Sequence, residues 1–130
     1  MGEPSRDGAG PIAERYLRAV ASQDWGTVEA CVAEGIVRHG PFGDDVEGRG
    51  PYLEFLRRTM PALPGYRMDL DLVSEAAGGR AFVELRETVE VDGAPLVTHE
   101  VLVVSLDDHG LVADVAIYIR SDPAPPPVAP

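Results

Sequence analysis

The sequence is poor in the residues that build metal centres, disulfide frameworks and nucleic-acid surfaces. It has one cysteine, Cys31, and three histidines in 130 residues. A lone cysteine cannot close an internal disulfide, and no His/Cys spacing matches a structural zinc site. Cys31 falls on a helical apolar stripe, which predicts a small buried side chain rather than a nucleophile. Cations are scarce too: 11 Lys+Arg stand against 22 Asp+Glu, for a formal net charge of -11. Such a surface repels phosphate backbones and anionic lipid, so nucleic-acid and membrane partners are not expected. No apolar run is long enough to cross a bilayer, and "MGEPSRDGAG" lacks the hydrophobic stretch of a secretory signal. The expected setting is the cytoplasm.

What is present is an ordinary globular balance, 45% hydrophobic and 25% charged, in a chain long enough for one core. Residues 1–10 read as a flexible arm, 11–121 as a single domain, and the Pro-rich 122–130 as a disordered tail. Ile12, Ala13, Tyr16, Leu17 and Val20 recur at helical spacing. Asp24 can cap a second, short helix carrying Val28, Cys31 and Val32 on one face. Ile36–His39 is a short strand stopped by Gly40-Pro41, and Pro51 opens a third helix that Pro61 and Pro64 close.

The period then changes to two. "YRMDLDLVSE", "RAFVELRETVEV", "LVTHEVLVVSL" and "LVADVAIYI" read as four strands. Asp92-Gly93 marks a turn, and Pro95 suggests that its loop exceeds two residues. The last two strands join around Asp107–Gly110. Helices followed by meandering strands mean α+β: a curved antiparallel sheet with three N-terminal helices over one face. A curled sheet closed by helices leaves a concave apolar pocket, the natural place for a small-molecule site.

Glu87 interrupts the face formed by Val83, Leu85, Val89 and Val91. A carboxylate among apolar neighbours is desolvated and pushed towards the range useful for acid/base work. The alternative is a wet or bulged strand end that leaves Glu87 solvated. Glu100 is in register with Leu102, Val104 and Leu106, and would sit nearer the mouth of the sheet than its floor. Arg86 and Glu87, adjacent on one strand, cannot enter the same pocket. His39 could act as a base oriented by Glu87 or could merely end its strand; Arg38 is expected to face away and pair with surface acids. His99 is placed on the exposed face, His109 in a turn, Asp44 and Asp45 in a solvated loop, and Trp25 in the core.

"ERYLRAVASQDWGTVEACVAEGIVRHGPFGDD", "GRGPYLEFL" and "DDHGLVADVAIYI" resemble ketosteroid isomerase and its relatives in the nuclear-transport-factor-2-like, or SnoaL-like, superfamily. The resemblance runs from about Ile12 to Arg120. It implies a cone-shaped, cystatin-like α+β barrel, commonly a homodimer packed through the sheet, serving isomerases, epoxide hydrolases, polyketide cyclases and non-catalytic modules. It places Tyr16 at the isomerase's oxyanion-donating tyrosine and Phe55 at a pocket-lining aromatic. Gly40 stands where that enzyme has its general-base aspartate, and Leu102 falls near its second oxyanion donor, so ketosteroid isomerase activity is not expected. Against limonene-epoxide hydrolase, His39 takes the position of a water-holding residue and Ile117 that of the last-strand aspartate.

These readings combine into an enzyme using neither metal nor organic cofactor, acting on a small, mostly apolar molecule by isomerisation, cyclisation or water addition. The expected catalytic residues are His39, Glu87 and Tyr16; Phe55, Leu85, Glu100, Leu102 and Ile117 are expected to bind substrate. A non-catalytic ligand-binding protein and a dimeric assembly module on the same fold are the alternatives.

Overall fold

A computed structural model describes residues 8–120. The helices are α1 (Ala9–Ala21), α2 (Trp25–Cys31) and, after two strands, α3 (Arg49–Thr59) with a 3-10 turn at Met60–Ala62. The strands are β1 (Val32–His39), β2 (Asp45–Glu47), β3 (Arg67–Ala76), β4 (Arg80–Val91), β5 (Ala94–Leu106) and β6 (Val112–Arg120). They form one six-stranded sheet in the order β2-β1-β6-β5-β4-β3. The α+β class expected from the sequence holds. The sheet is mixed rather than wholly antiparallel, because β1 lies parallel to β6, with Arg38 opposite Val115 and His39 opposite Ala116.

Helix α1 begins at Ala9, so residues 9 and 10 belong to the helix and not to the expected arm. The cause lies far away in sequence. Gly8 offers no side-chain cap, and the Glu75 carboxylate at the end of β3 accepts the Gly10 N–H at 2.9 Å instead. A carboxylate at a helix N-terminus satisfies an orphan donor and complements the dipole. A Cβ on Gly8 would meet that carboxylate and oblige the Glu75 side chain to shift. Residues 1–7 of the expected arm, Ser121 and the tail from 122 lie outside the described residues. Asp24 caps α2 as expected, accepting the Thr27 N–H at 3.2 Å.

The β4–β5 hairpin is tighter than expected. Val91 pairs with Ala94, leaving only Asp92 and Gly93 in the loop, with φ of 53° and 79°. Two consecutive positive φ values make the mirror-image turn whose twist suits a two-residue hairpin. Pro95 is tolerated because it falls opposite Glu90, one step beyond the closing pair, where its nitrogen faces away from β4. On that side β6 pairs with β5 only from His99 onwards.

The core lies between the helices and the concave sheet face. Ala13, Tyr16, Leu17 and Val20 of α1 and Tyr52, Leu53 and Leu56 of α3 are buried in one cluster with Val83, Leu85, Leu102, Val104 and Val115. Each fully buried Leu or Val side chain contributes about 1.5–3 kcal/mol. Cys31 is buried and Trp25 packs against this cluster, as the sequence implied. Among the described residues no helix is long and apolar enough to cross a membrane.

Candidate active site

The helices do not fill the cone. Between α1, α3 and the sheet remains a cavity of about 170 Å³. Of the side chains singled out from the sequence, Tyr16, Phe55, Leu85, Glu87, Glu100, Leu102 and Ile117 all line it. The sheet dictates their convergence. Leu85 stands opposite Glu100, Val83 opposite Leu102, and Leu102 opposite Ile117, so alternate residues of three strands share the concave face.

Glu87 faces Thr98, two pairs along from Leu85 and Glu100 and on the same face, which makes the two carboxyls diagonal neighbours. They are close enough for each to act on the other's ionisation. Glu100 is buried, and its pKa is pushed up to about 9, first by burial and then by the proximity and negative charge of Glu87; Arg38 opposes the shift. Two carboxyls this close in a dry site hold one proton between them. Glu100 therefore carries it at neutral pH. On its other side Glu87 accepts a hydrogen bond from the Tyr66 hydroxyl. Burial, reinforced by Glu87, holds that phenol well above its ordinary value, so it stays a donor.

A second polar pair lies under the helices. The hydroxyls of Tyr16 and Tyr52 hydrogen-bond to each other, and both residues are almost wholly buried. Burial, followed by the neighbouring Tyr52, raises the Tyr16 phenol well above its usual range.

His39 is not in this cavity. The expectation of a base beside Glu87 is corrected by strand parity: Ile36 is fully buried, so Arg38 shares its face and His39 points to the opposite side of the sheet. There Nε2 lies 2.9 Å from Asp114 and Nδ1 lies 3.2 Å from Asp45. The hydrogen bond to Asp114 is the main reason its pKa is raised. These three side chains form a surface ion-pair cluster, and among the described residues no group of His, Cys, Asp or Glu converges as a metal site would.

Arg38, expected on the outside, takes the inward position. Its guanidinium lies 4.7 Å from the Phe55 ring centroid, and Nη1 donates to the backbone oxygen and to Oδ2 of Asp44, at 3.1 and 3.2 Å. The pairing with a surface acid was foreseen; the face was not. Arg38, Glu87, Glu100 and Ile117 also border the mouth, where Pro41 and Phe42 of the β1–β2 connection reach over the opening. Arg86 points outward to Asp71, at 2.8 Å, confirming that it cannot share the pocket with Glu87.

Arg38, Tyr52 and Tyr66 were missed from sequence. Arg38 was recoverable by strict alternation from Ile36. Tyr66 lies two residues before Met68, on the parity of a strand whose Met68 lines the cavity. Tyr52 precedes Phe55 and Leu56 at helical spacing.

The sequence profile of the SnoaL-like domain family matches residues 13–115. Solved structures of similar fold include a candidate ketosteroid isomerase from Kribbella flavida, 23% identical, covering 92% of this chain and 83% of its own, with a TM-score of 0.74. An LEH-like epoxide hydrolase of M. tuberculosis is 19% identical, with 86% and 82% coverage and a TM-score of 0.74. Bal32a, from a soil-derived mobile gene cassette, is 22% identical, with 85% and 88% coverage and a TM-score of 0.77. No curated protein is significantly similar in sequence.

Two measurements probe the electrostatics. Glu100 ionises near pH 4.5 when unfolded and near 9 when folded, so the folded state holds the extra proton between those values and stability falls as pH rises across that window. Glu100→Gln removes this penalty, and its gain in Tm over the wild type should be larger at pH 8 than at pH 5; an equal gain at both would show that Glu100 is not held protonated. The pKa of His39, followed by NMR, should lie above its usual value and drop in Asp114→Asn. Its charged form stabilises the fold below the unfolded value, and that contribution disappears as pH rises through the folded one.

Proposed function

The chain belongs to the SnoaL-like domain family, and from that premise we propose that it is a small-molecule enzyme moving protons without metal or organic cofactor. The observation that carries this reading is the Glu87–Glu100 pair sharing one proton inside a cavity otherwise walled by side chains such as Leu85, Leu102 and Met68. One carboxyl is ready to accept a proton and its neighbour to give one, the arrangement that general acid/base work requires.

In this reading Glu87, positioned by Tyr66, takes a proton from carbon or from an attacking water. Glu100 delivers its proton to the oxygen on which negative charge develops. Tyr16, braced by Tyr52, donates a further hydrogen bond to that charge. Phe55, Leu102 and Ile117 hold the apolar body of the substrate. Isomerisation, cyclisation and water addition all reduce to these two proton movements. His39, on the far side of β1, has no part in them. An assembly module would have no use for a ligand-sized cavity holding a desolvated acid pair.

The same proposal includes a cytoplasmic homodimer. On the convex sheet face Leu72, Phe82 and Tyr118 are 51%, 39% and 60% exposed, with Val101 and Val103 between them. Contiguous exposed apolar surface of this kind marks an interaction face.

Proton transfer can be tested before the substrate is known. Incubated in D₂O with a panel of cyclic ketones and β-dicarbonyl compounds, the protein should accelerate deuterium uptake at carbon. Glu87→Gln should reduce that rate by about 10²–10⁴-fold with the fold retained; an unchanged rate would sink the assignment, and saturable binding without exchange would point to a binding protein. For the dimer, light scattering should give twice the chain mass and Tyr118→Glu should return it to one.

A further inference from the structure

Arg38 is a cation turned into an apolar cavity, and the protein leaves most of it unused. Its side chain is 13% exposed, and it borders both the cavity and its mouth. The Phe55 ring, its centroid 4.7 Å from the guanidinium carbon, gives it a cation–π contact that restricts its position. Among the described residues, both of its hydrogen bonds leave from Nη1 and both end on Asp44. Nε and Nη2 therefore donate to no protein acceptor among those residues. Glu100 is near enough to feel its charge, but neither Glu100 nor Glu87 forms an ion pair with it. A guanidinium has five donors and is always charged, so one held in a partly dry site with spare donors invites an anionic acceptor.

Asp44 indicates which anion. It lies in the β1–β2 connection, its side chain is 49% exposed, and its carboxylate sits on one edge of the guanidinium. The planar fork matches a carboxylate. A phosphate dianion would bring a second negative charge towards Glu87 in a protein whose net charge is already -11. The remaining wall is apolar and the space is small.

We propose that the substrate is a small carboxylic acid with an apolar body, that its carboxylate binds Arg38 at the mouth while the reacting carbon lies deeper beside Glu87 and Glu100, and that Asp44 is an internal carboxylate which the substrate displaces. This rests on the enzyme reading above and names its substrate class. Arg38 is then a specificity-determining residue, and Asp44 sets how much anion-binding strength is left for the ligand.

The test is an NMR titration of the full chain with aryl- and cycloalkyl-alkanoates, each beside its primary amide. In the wild type the acid should bind about 10–100-fold more tightly than its amide, the span of a charge-assisted hydrogen bond. Arg38→Gln should erase that preference, so that acid and amide bind with similar affinity. Asp44→Asn keeps an Oδ1 acceptor for the Phe42 N–H but removes the competing charge, and should tighten acid binding several-fold without affecting the amide. The proposal is overturned if acid and amide bind alike in the wild type, if Arg38→Gln retains the preference, or if Asp44→Asn weakens the acid. Should Arg38→Gln fail to fold, the wild-type ratio and the Asp44→Asn result decide. Deuterium exchange with no acid preference removes this inference and keeps the enzyme; Arg38-dependent acid binding without exchange does the reverse.

Discussion

Everything in the cone depends on the apolar stripe of α1 lying across the concave sheet face. Ala13, Tyr16, Leu17 and Val20 close the space above Leu85, Leu102 and Val115 and exclude bulk water. Exclusion of water is what turns two ordinary glutamates into an acid pair. In a hydrated groove both would ionise and separate; in a dry one the diagonal spacing set by β4 and β5 leaves them a single proton. The same dryness keeps the phenols of Tyr16, Tyr52 and Tyr66 protonated, so the polar groups of the interior act as hydrogen-bond donors and acceptors instead of free charges. The chemistry of the site is thus a property of the packing before it is a property of any one residue.

The strand and helix pattern was legible because period-two and period-3.6 alternation is local and strong here. Glu87 was legible for the same reason: a carboxylate breaking an apolar alternation has few explanations. Glu100 was read as a lone carboxyl near the mouth, and its pairing with Glu87 required a register that only the folded sheet supplies. The face of β1 follows from strict alternation starting at the buried Ile36, and the family position of His39 carries no information about that parity. An inward arginine also runs against the usual burial order, and only the Phe55 ring and Asp44 make it tolerable. The parallel β1–β6 pairing, the three-residue β2 and the Glu75 cap of α1 all join segments distant in sequence or too short to carry a periodic signal.

The end of β1 shows how one strand serves two environments. Arg38 and His39, consecutive residues on opposite faces, are held by Asp44 and Asp45, consecutive residues of the following segment. The inward pair sits at the mouth of the cavity, and the outward pair ties β2 and, through Asp114, β6 to the outer surface. Alternation thus sorts four neighbouring charged groups into a cavity-facing pair and a scaffold pair.

The parallel seam between β1 and β6 also sets an order of events during synthesis. β1 leaves the ribosome early, but its neighbour in the sheet is the last strand to emerge, so its inner edge waits unpaired while β3, β4 and β5 form their local hairpins. Pairings so distant in sequence are slow because the loop must close before any contact repays it. Arg38 and Val115 face each other across that seam and come together only when the chain is nearly complete. A truncated product could fold much of its meander and still present no closed pocket, which makes occupancy of the cavity a natural marker of a finished molecule.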